Sequence, residues 1–280
     1  MTVSNLAVVI ITFNRNALLE ICLQSVKSAF LSQAYPLYVV VQDLNSEDQN
    51  VLQKFSSIIT QVFSVESGSQ SKEKLINDNR VLAWDIALIQ QGHEYVLCLE
   101  DDVEVAEDIM NFSEKVIRQN SDNPSFFGIN YGSYEINQRP NTYSKLRYGI
   151  HGPASLISQR SFLRMKTKRL NYLQGLIAWD SWVEPIAKIG YMATSNTARY
   201  IDHGVNGTHT SEFHDRAYFE KLLLSYNVTK LNKSLEVINL EAVHTWRDDC
   251  VNYKSSDNLK YRLKLYRTRL IQFTRLLFKS

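Results

Sequence analysis

The 280-residue chain has no Gly-rich phosphate loop. No GxxxxGK[ST] stretch occurs and no GxGxxG follows the first apolar run, which argues against a P-loop ATPase and a dinucleotide-dependent oxidoreductase. No GxSxG elbow is present, so an α/β-hydrolase nucleophile has no seat. Cysteine is scarce: Cys22, Cys98 and Cys250 make an odd set without CxxC spacing. Two of them sit among apolar neighbours and read as buried free thiols of a reducing compartment, not as a disulfide framework. The N-terminal segment lacks a basic flank, and its apolar run is too short to span a bilayer. A cytoplasmic protein is therefore expected, and the scattered Asn-x-Ser/Thr triplets read as chance. A net charge of +2 gives no reason to expect nucleic acid as a partner.

What is present is a core-forming composition, 44% apolar, and a clear alternation along the first hundred residues. Apolar, β-rich runs at Leu6–Phe13, Leu37–Asp43, Thr60–Glu66 and Tyr95–Glu100 predict strands. Helical spacing marks Asn16–Phe30, Lys72–Gln91 (Leu75, Leu82, Ile86 and Ile89 on one face) and Ala106–Gln119 (Ile109, Phe112 and Val116 on one face). Strands apolar throughout, separated by amphipathic helices, predict an α/β fold with a mainly parallel, doubly wound sheet covered on both faces. Beyond Phe126 the pattern loosens. Phe126–Gly132 reads as a further strand, Tyr134–Tyr148 as loop, Arg160–Arg169 as a basic stretch, and Val205–Asp215 as a mobile Gly/Thr/His loop. WDSW, Trp179–Trp182, opens a short helix.

The tail is different. Lys254–Ser280 carries eight basic residues against one acid, and Leu259, Leu263, Tyr266, Leu270, Phe273 and Leu277 recur at spacings of four and three. This is a basic amphipathic helix, suited to an anionic membrane surface, to packing on the preceding domain or to pairing in a homodimer. The expected division is a domain of residues 1–253 and a helix of residues 254–280.

One stretch concentrates the chemistry. YVLCLE runs straight into Glu100, Asp101 and Asp102. Adjacent half-buried carboxylates repel unless water or a cation reaches them. In open parallel sheets, ligands bind beyond the carboxyl ends of strands. Asn14-Arg15, Gln42-Asp43 and the acidic triplet all fall at such ends, so they are expected along one rim. A carboxylate cluster there suits Mn²⁺ or Mg²⁺, with the remaining coordination sites left to water and phosphate oxygens. Asp180, between two tryptophans, reads either as a general base or as a helix cap.

EDDVEVAEDI, WDSW and GVNGTHTSEFHD, together with FNR, Gln42-Asp43 and INDNRVLAW in the same order, resemble the motifs of GT-A fold nucleotide-sugar glycosyltransferases, in particular N-acetylglucosaminyltransferase I and its relatives. The resemblance covers roughly Val8 to Asp215. It implies an inverting, metal-dependent transfer from a UDP-sugar, with N-acetylglucosamine as one candidate sugar, to a glycan or lipid-linked acceptor in glycan or surface-polysaccharide synthesis. Under it Asp102 ligates the metal, and Glu100 and Asp101 contact the ribose and pyrophosphate side. Arg15 and Asp43 hold the uridine, and Asp180 is the base. Asn79 stands where that family has a uracil-side His, and Ser181 where it has the second Asp of Trp-Asp-Asp-Trp. Gly207 and His209 belong to the loop that orders over the donor. A nucleotidyltransferase and a non-catalytic sugar-binding module on the same scaffold are the alternative readings.

Overall fold

The computed structural model describes residues 5–30, 34–68, 72–131, 143–146, 153–167, 190–195 and 198–206. The first half follows the expected alternation. β1 (Leu6–Thr12) leads through α1 (Asn16–Ala29) to β2 (Leu37–Gln42), then through α2 (Ser46–Lys54) to β3 (Gln61–Val65), and through α3 (Lys72–Asp85) to β4 (Tyr95–Glu100). β1 lies between β2 and β4, parallel to both, and β2 is parallel to β3.

β1 and β2 form strands because they are nearly continuous runs of Val, Ile, Leu and Tyr, which pack on both faces of a pleated sheet. Alternate residues supply two separate cores. Leu6, Val8, Ile10, Leu37, Val39, Val41, Leu97 and Leu99 face α1 and a later helix, α4 (Ile109–Asn120). Ala7, Val9, Val40, Val96 and Cys98 face Ala83, Trp84, Ala87 and Leu88 on the opposite side. Cys22 and Cys98 are buried free thiols.

α2 has no counterpart among the expected helices. It is short and mostly polar, and its local signal is a cap: Asn45 Oδ1 accepts from the Glu47 and Asp48 amides while Asp48 accepts from the Asn45 amide. α3 also corrects its expected face. Leu75 and Leu82 are only half-buried and Ile89 is 39% exposed, whereas Asn79, Arg80, Ala83 and Trp84 are buried. A π-helical turn at Ile86–Gln90 follows α3. Its extra residue per turn carries Ile89 off the face of α3, and Gln42 and Glu100 at the sheet rim take up the buried Asn79 and Arg80 side chains.

The second half departs further from the expectation. After β4 come the short strand β5 (Val103–Val105), α4, β6 (Phe126–Asn130), β7 (Tyr143–Leu146), β8 (Ala154–Ser158), α5 (Gln159–Thr167), β9 (Tyr191–Ser195) and β10 (Tyr200–Asp202). The eight-stranded sheet has the order β3-β2-β1-β4-β8-β6-β9-β7. β8 is antiparallel to both β4 and β6, and β7 is antiparallel to β9, so the sheet is mixed beyond β4. Residues 143–146, expected as loop, are the edge strand. α4 starts three residues later than expected because Val103–Val105 pairs antiparallel with β10 as a separate two-stranded sheet. Val205 and Asn206, expected in a loop, close a 3₁₀ turn at His203–Asn206. Among the described residues no helix is long and apolar enough to cross a membrane. WDSW and the amphipathic tail lie outside the described residues.

Candidate functional site on the carboxyl rim of the sheet

Parallel strands β1, β2 and β4 bring their carboxyl ends to one edge. The chain leaves β1 and β2 in the same unusual way: Asn14 and Asp43 both take left-handed backbone, with φ of 49° and 53°. Non-glycine residues held there are strained and gather at functional sites. The two turns are tied together, since Asn45 Nδ2 donates to Asn14 Oδ1 at 2.9 Å.

The three acids of the triplet have different surroundings. Asp101 is fully buried. Its Oδ2 accepts from Thr12 Oγ1 at 2.8 Å and from the Phe13 amide at 3.1 Å, and Oδ1 lies 3.0 Å from Arg15. Burial pushes its carboxyl up to about 6, although Arg15 and the two donors pull the other way. With its oxygens turned to the first turn, Asp101 holds that turn in place beneath the rim. Glu100 is half-buried and pairs with Arg80, a guanidinium only 1% exposed. Asp102 is 6% exposed. Its Oδ2 receives Arg15 at 2.5 Å, while Oδ1 is buried with no hydrogen-bond partner.

Arg15, with its side chain 40% exposed, thus bridges Asp101 and Asp102. Asp43 stands at the end of β2. Ser67 clamps it, donating its amide to Oδ1 at 2.8 Å and its hydroxyl to Oδ2. Those two donors hold the Asp43 carboxyl below its ordinary range, so it stays ionised. Asn79 donates to Gln42 Oε1 at 2.7 Å, and Gln42 Nε2 donates to Ser67 Oγ at 2.8 Å. Asn79, Gln42, Ser67 and Asp43 therefore form one chain of hydrogen bonds at the end of β2.

Sequence reasoning missed two members of this site. Ser67 follows β3, and its only local signal is a Ser-Gly turn. Asp202 ends β10 and sits opposite Val103, immediately beside Asp102. Burial and the Asp102 charge push the Asp202 carboxyl up to about 7. No local pattern marks it, because the pairing that delivers it spans a hundred residues.

Arg15, Asp43, Asn79, Glu100, Asp101 and Asp102 are thus brought to one rim. Asp180, Gly207 and His209 lie outside the described residues. His203 turns away from the triplet: its Nε2 is 2.9 Å from Glu104. Among the described residues no group of three or more His, Cys, Asp or Glu side chains forms a metal cage. A hard cation bound by one or two carboxylates, water and phosphate oxygens does not need one. The buried Asp102 Oδ1 without a partner fits that requirement.

No family model matches the sequence, and no curated protein matches it. Its fold is similar to that of TarS from S. aureus. Against TarS residues 1–349 the TM-score is 0.50 at 12% identity, covering 82% of this chain and 72% of that one. Against a longer TarS chain it is 0.51 at 14% identity, covering 82% of this chain and 44% of that one. A looser likeness, TM-score 0.40 at 16% identity over 83% and 73% of the two chains, is to the mannosyltransferase PcManGT from Pyrobaculum calidifontis in complex with GDP-Man and Mn²⁺. The chain has a GT-A-like fold: an α/β architecture around a mostly parallel central sheet.

Proposed function

We propose that the protein is a metal-dependent glycosyltransferase that moves a sugar from a nucleotide sugar to an acceptor hydroxyl with inversion. The observation that carries this reading is the Asp102 carboxylate, buried and with one oxygen unpartnered, on the same rim as the clamped and ionised Asp43. The two stand at the ends of β4 and β2 with β1 between them, an arrangement suited to a diphosphate at one end and a base at the other.

Asp43 offers only acceptors, which suits the N3–H of uracil; Asn79 and Gln42 extend that edge with amide groups. Arg15 faces the diphosphate while it holds Asp101 and Asp102. Glu100, steadied by Arg80, lies beside it. A divalent cation on Asp102, Mn²⁺ or Mg²⁺, would neutralise the departing diphosphate. The acceptor hydroxyl then forms its bond to the anomeric carbon as the bond to the diphosphate oxygen breaks. Asp180, by its place in WDSW, takes the hydroxyl proton. The motif likeness to N-acetylglucosaminyltransferase I favours UDP-N-acetylglucosamine as donor. The loop of Gly207 and His209 would close over it and exclude water.

The basic amphipathic tail favours a lipid-linked acceptor and a place on the inner face of a membrane. Sedimentation with anionic liposomes should pellet the full chain, and high salt should release it.

The test of the central reading is donor hydrolysis and UDP binding across a panel of labelled UDP-sugars with and without Mn²⁺. One UDP-sugar should be hydrolysed with metal only, and Mn²⁺ should tighten UDP binding. If no donor is hydrolysed but a sugar alone binds, the chain is a sugar-binding module. If metal leaves UDP affinity unchanged, the triplet is not a metal site.

A further inference from the structure

We propose that Asp202 is a second carboxylate ligand of the cation that Asp102 holds, an inference that rests on the metal reading of the acidic triplet.

The two residues are a hundred positions apart and are joined by the small sheet. β10 lies antiparallel to β5 with Asp202 opposite Val103, and the His203 amide donates to the Asp102 carbonyl at 2.8 Å. This register brings the two backbones together, and the carboxylates meet beside Gly204, whose amide donates to Asp202 Oδ1. Gly204 shows how closely they meet. A Cβ built there would collide with Asp102 Oδ2 and lie 3.0 Å from Asp202 Oδ1. One point beside the chain therefore touches both carboxylates, and only a glycine leaves room for them.

Each carboxylate keeps an oxygen in reserve. Asp102 Oδ1 is buried and unpartnered. Asp202 Oδ1 accepts from the Gly204 amide at 2.8 Å, and its second oxygen has no hydrogen bond among the described residues. The nearby cations are committed elsewhere: Arg15 to Asp101 and Asp102, Arg80 to Glu100. Asp202 has no ion-pair partner among the described residues. Two carboxylates held close in a desolvated place are unfavourable unless a cation joins them.

The structural alternative is that Asp202 merely caps the 3₁₀ turn through the Gly204 amide. A cap needs one neutral oxygen, which Asn supplies equally well. It needs no charge and no approach to Asp102.

The experiment follows from that difference. Mn²⁺ is titrated into the full chain, with and without UDP, and free Mn²⁺ is read by electron paramagnetic resonance. Asp202→Asn keeps the cap and the side-chain shape but removes the charge. It should weaken Mn²⁺ binding by about tenfold or more, the scale on which a metal site responds to loss of a supporting ligand, with the thermal midpoint unchanged or raised. Gly204→Ala, which drives a methyl group toward Asp102 Oδ2, should weaken it as well. A loss of less than about tenfold in Asp202→Asn overturns the assignment and leaves Asp202 a cap, with the metal reading intact as long as Asp102→Asn still abolishes binding. Should Asp202→Asn fail to fold, Asp202→Ser, which also keeps an acceptor for the Gly204 amide, decides by the same threshold. If the wild-type chain itself binds no Mn²⁺ in either condition, the metal reading falls and this inference with it.

Discussion

The two halves of the central sheet are built differently. β3, β2, β1 and β4 all run one way and are joined through helices, so their carboxyl ends share one edge. Beyond β4 the directions are mixed: β8 runs against β4 and β6, β9 runs with β6, and β7 runs against β9. In the first half a residue's position at a strand end is enough to place it on the rim. In the second half strand ends fall on both edges, and function has to be delivered by pairing. The small β5–β10 sheet does this when it sets Asp202 beside Asp102. The comparison implies a division of labour. Under the proposed function the parallel half would hold the nucleotide, and the chain beyond β4 would add groups that act on the cation and the acceptor.

The largest effects should separate those duties. Asp102→Ala removes the carboxylate at the junction of the halves. Turnover should fall by about 10³-fold, since a metal contributes several kcal/mol of charge stabilisation. UDP affinity should weaken only when Mn²⁺ is present, which calorimetry with and without metal reads directly. Asp180→Asn should lower transfer by about 10²-fold or more and leave UDP affinity nearly unchanged. If this variant instead loses UDP affinity while keeping its turnover, the division is wrong and Asp180 belongs to the donor side.

The legibility of the sequence divides at the same place. LAVVIIT, LYVVVQ and YVLCLE are apolar on both faces because the strands are parallel and covered twice, and that pattern is local. The rim followed from it, and with it the gathering of Arg15, Asp43 and the triplet. α2 was hidden because its nine residues bury little, and its signal was the Asn45 cap. The face of α3 was misassigned because Asn79 and Arg80 are buried against rim partners, which inverts the usual link between polarity and exposure. Tyr143–Leu146 is four residues at a sheet edge, too short for a period to register. Asp202 was invisible for a different reason: only the three-residue pairing of β5 with β10 gives it a neighbour.

Packing offers a smaller contrast. Ile10 and Ile129 are both fully buried in the same core, one in β1 and one in β6. Ile10 lies between Val39 and Leu99 in two regular parallel ladders. Ile129 lies between Leu156 and Ala193, beside a register shift between Phe126 and Gly128. A cavity costs more where the surroundings cannot close on it. Ile10→Ala should therefore cost about 4 kcal/mol and Ile129→Ala about 2 kcal/mol, the upper and lower parts of the usual range, read by urea denaturation. Equal costs would mean that the mixed half is as rigid as the parallel half.

The smallest expected effect lies at the opposite end of the parallel half, away from the acids. His93 precedes β4 and is 8% exposed. Its Nδ1 is 2.6 Å from Asn5 Oδ1, which can only accept, so Nδ1 carries the proton and donates. Its Nε2 then accepts from the Tyr38 hydroxyl at 2.9 Å. The pair of bonds holds the ring neutral, and burial lowers its pKa from the ordinary value of 6.5. A depressed histidine binds fewer protons folded than unfolded. Stability from this group is therefore complete above the unfolded value and is lost as pH falls through the window between that value and the lower folded one. His93→Gln can keep one donor and one acceptor without titrating. Urea midpoints at about pH 5 and about pH 7.5 should differ less in this variant than in the wild type. An unchanged difference would show that protonation of His93 does not set the acid sensitivity of this edge, leaving the acid-side loss to the carboxylates.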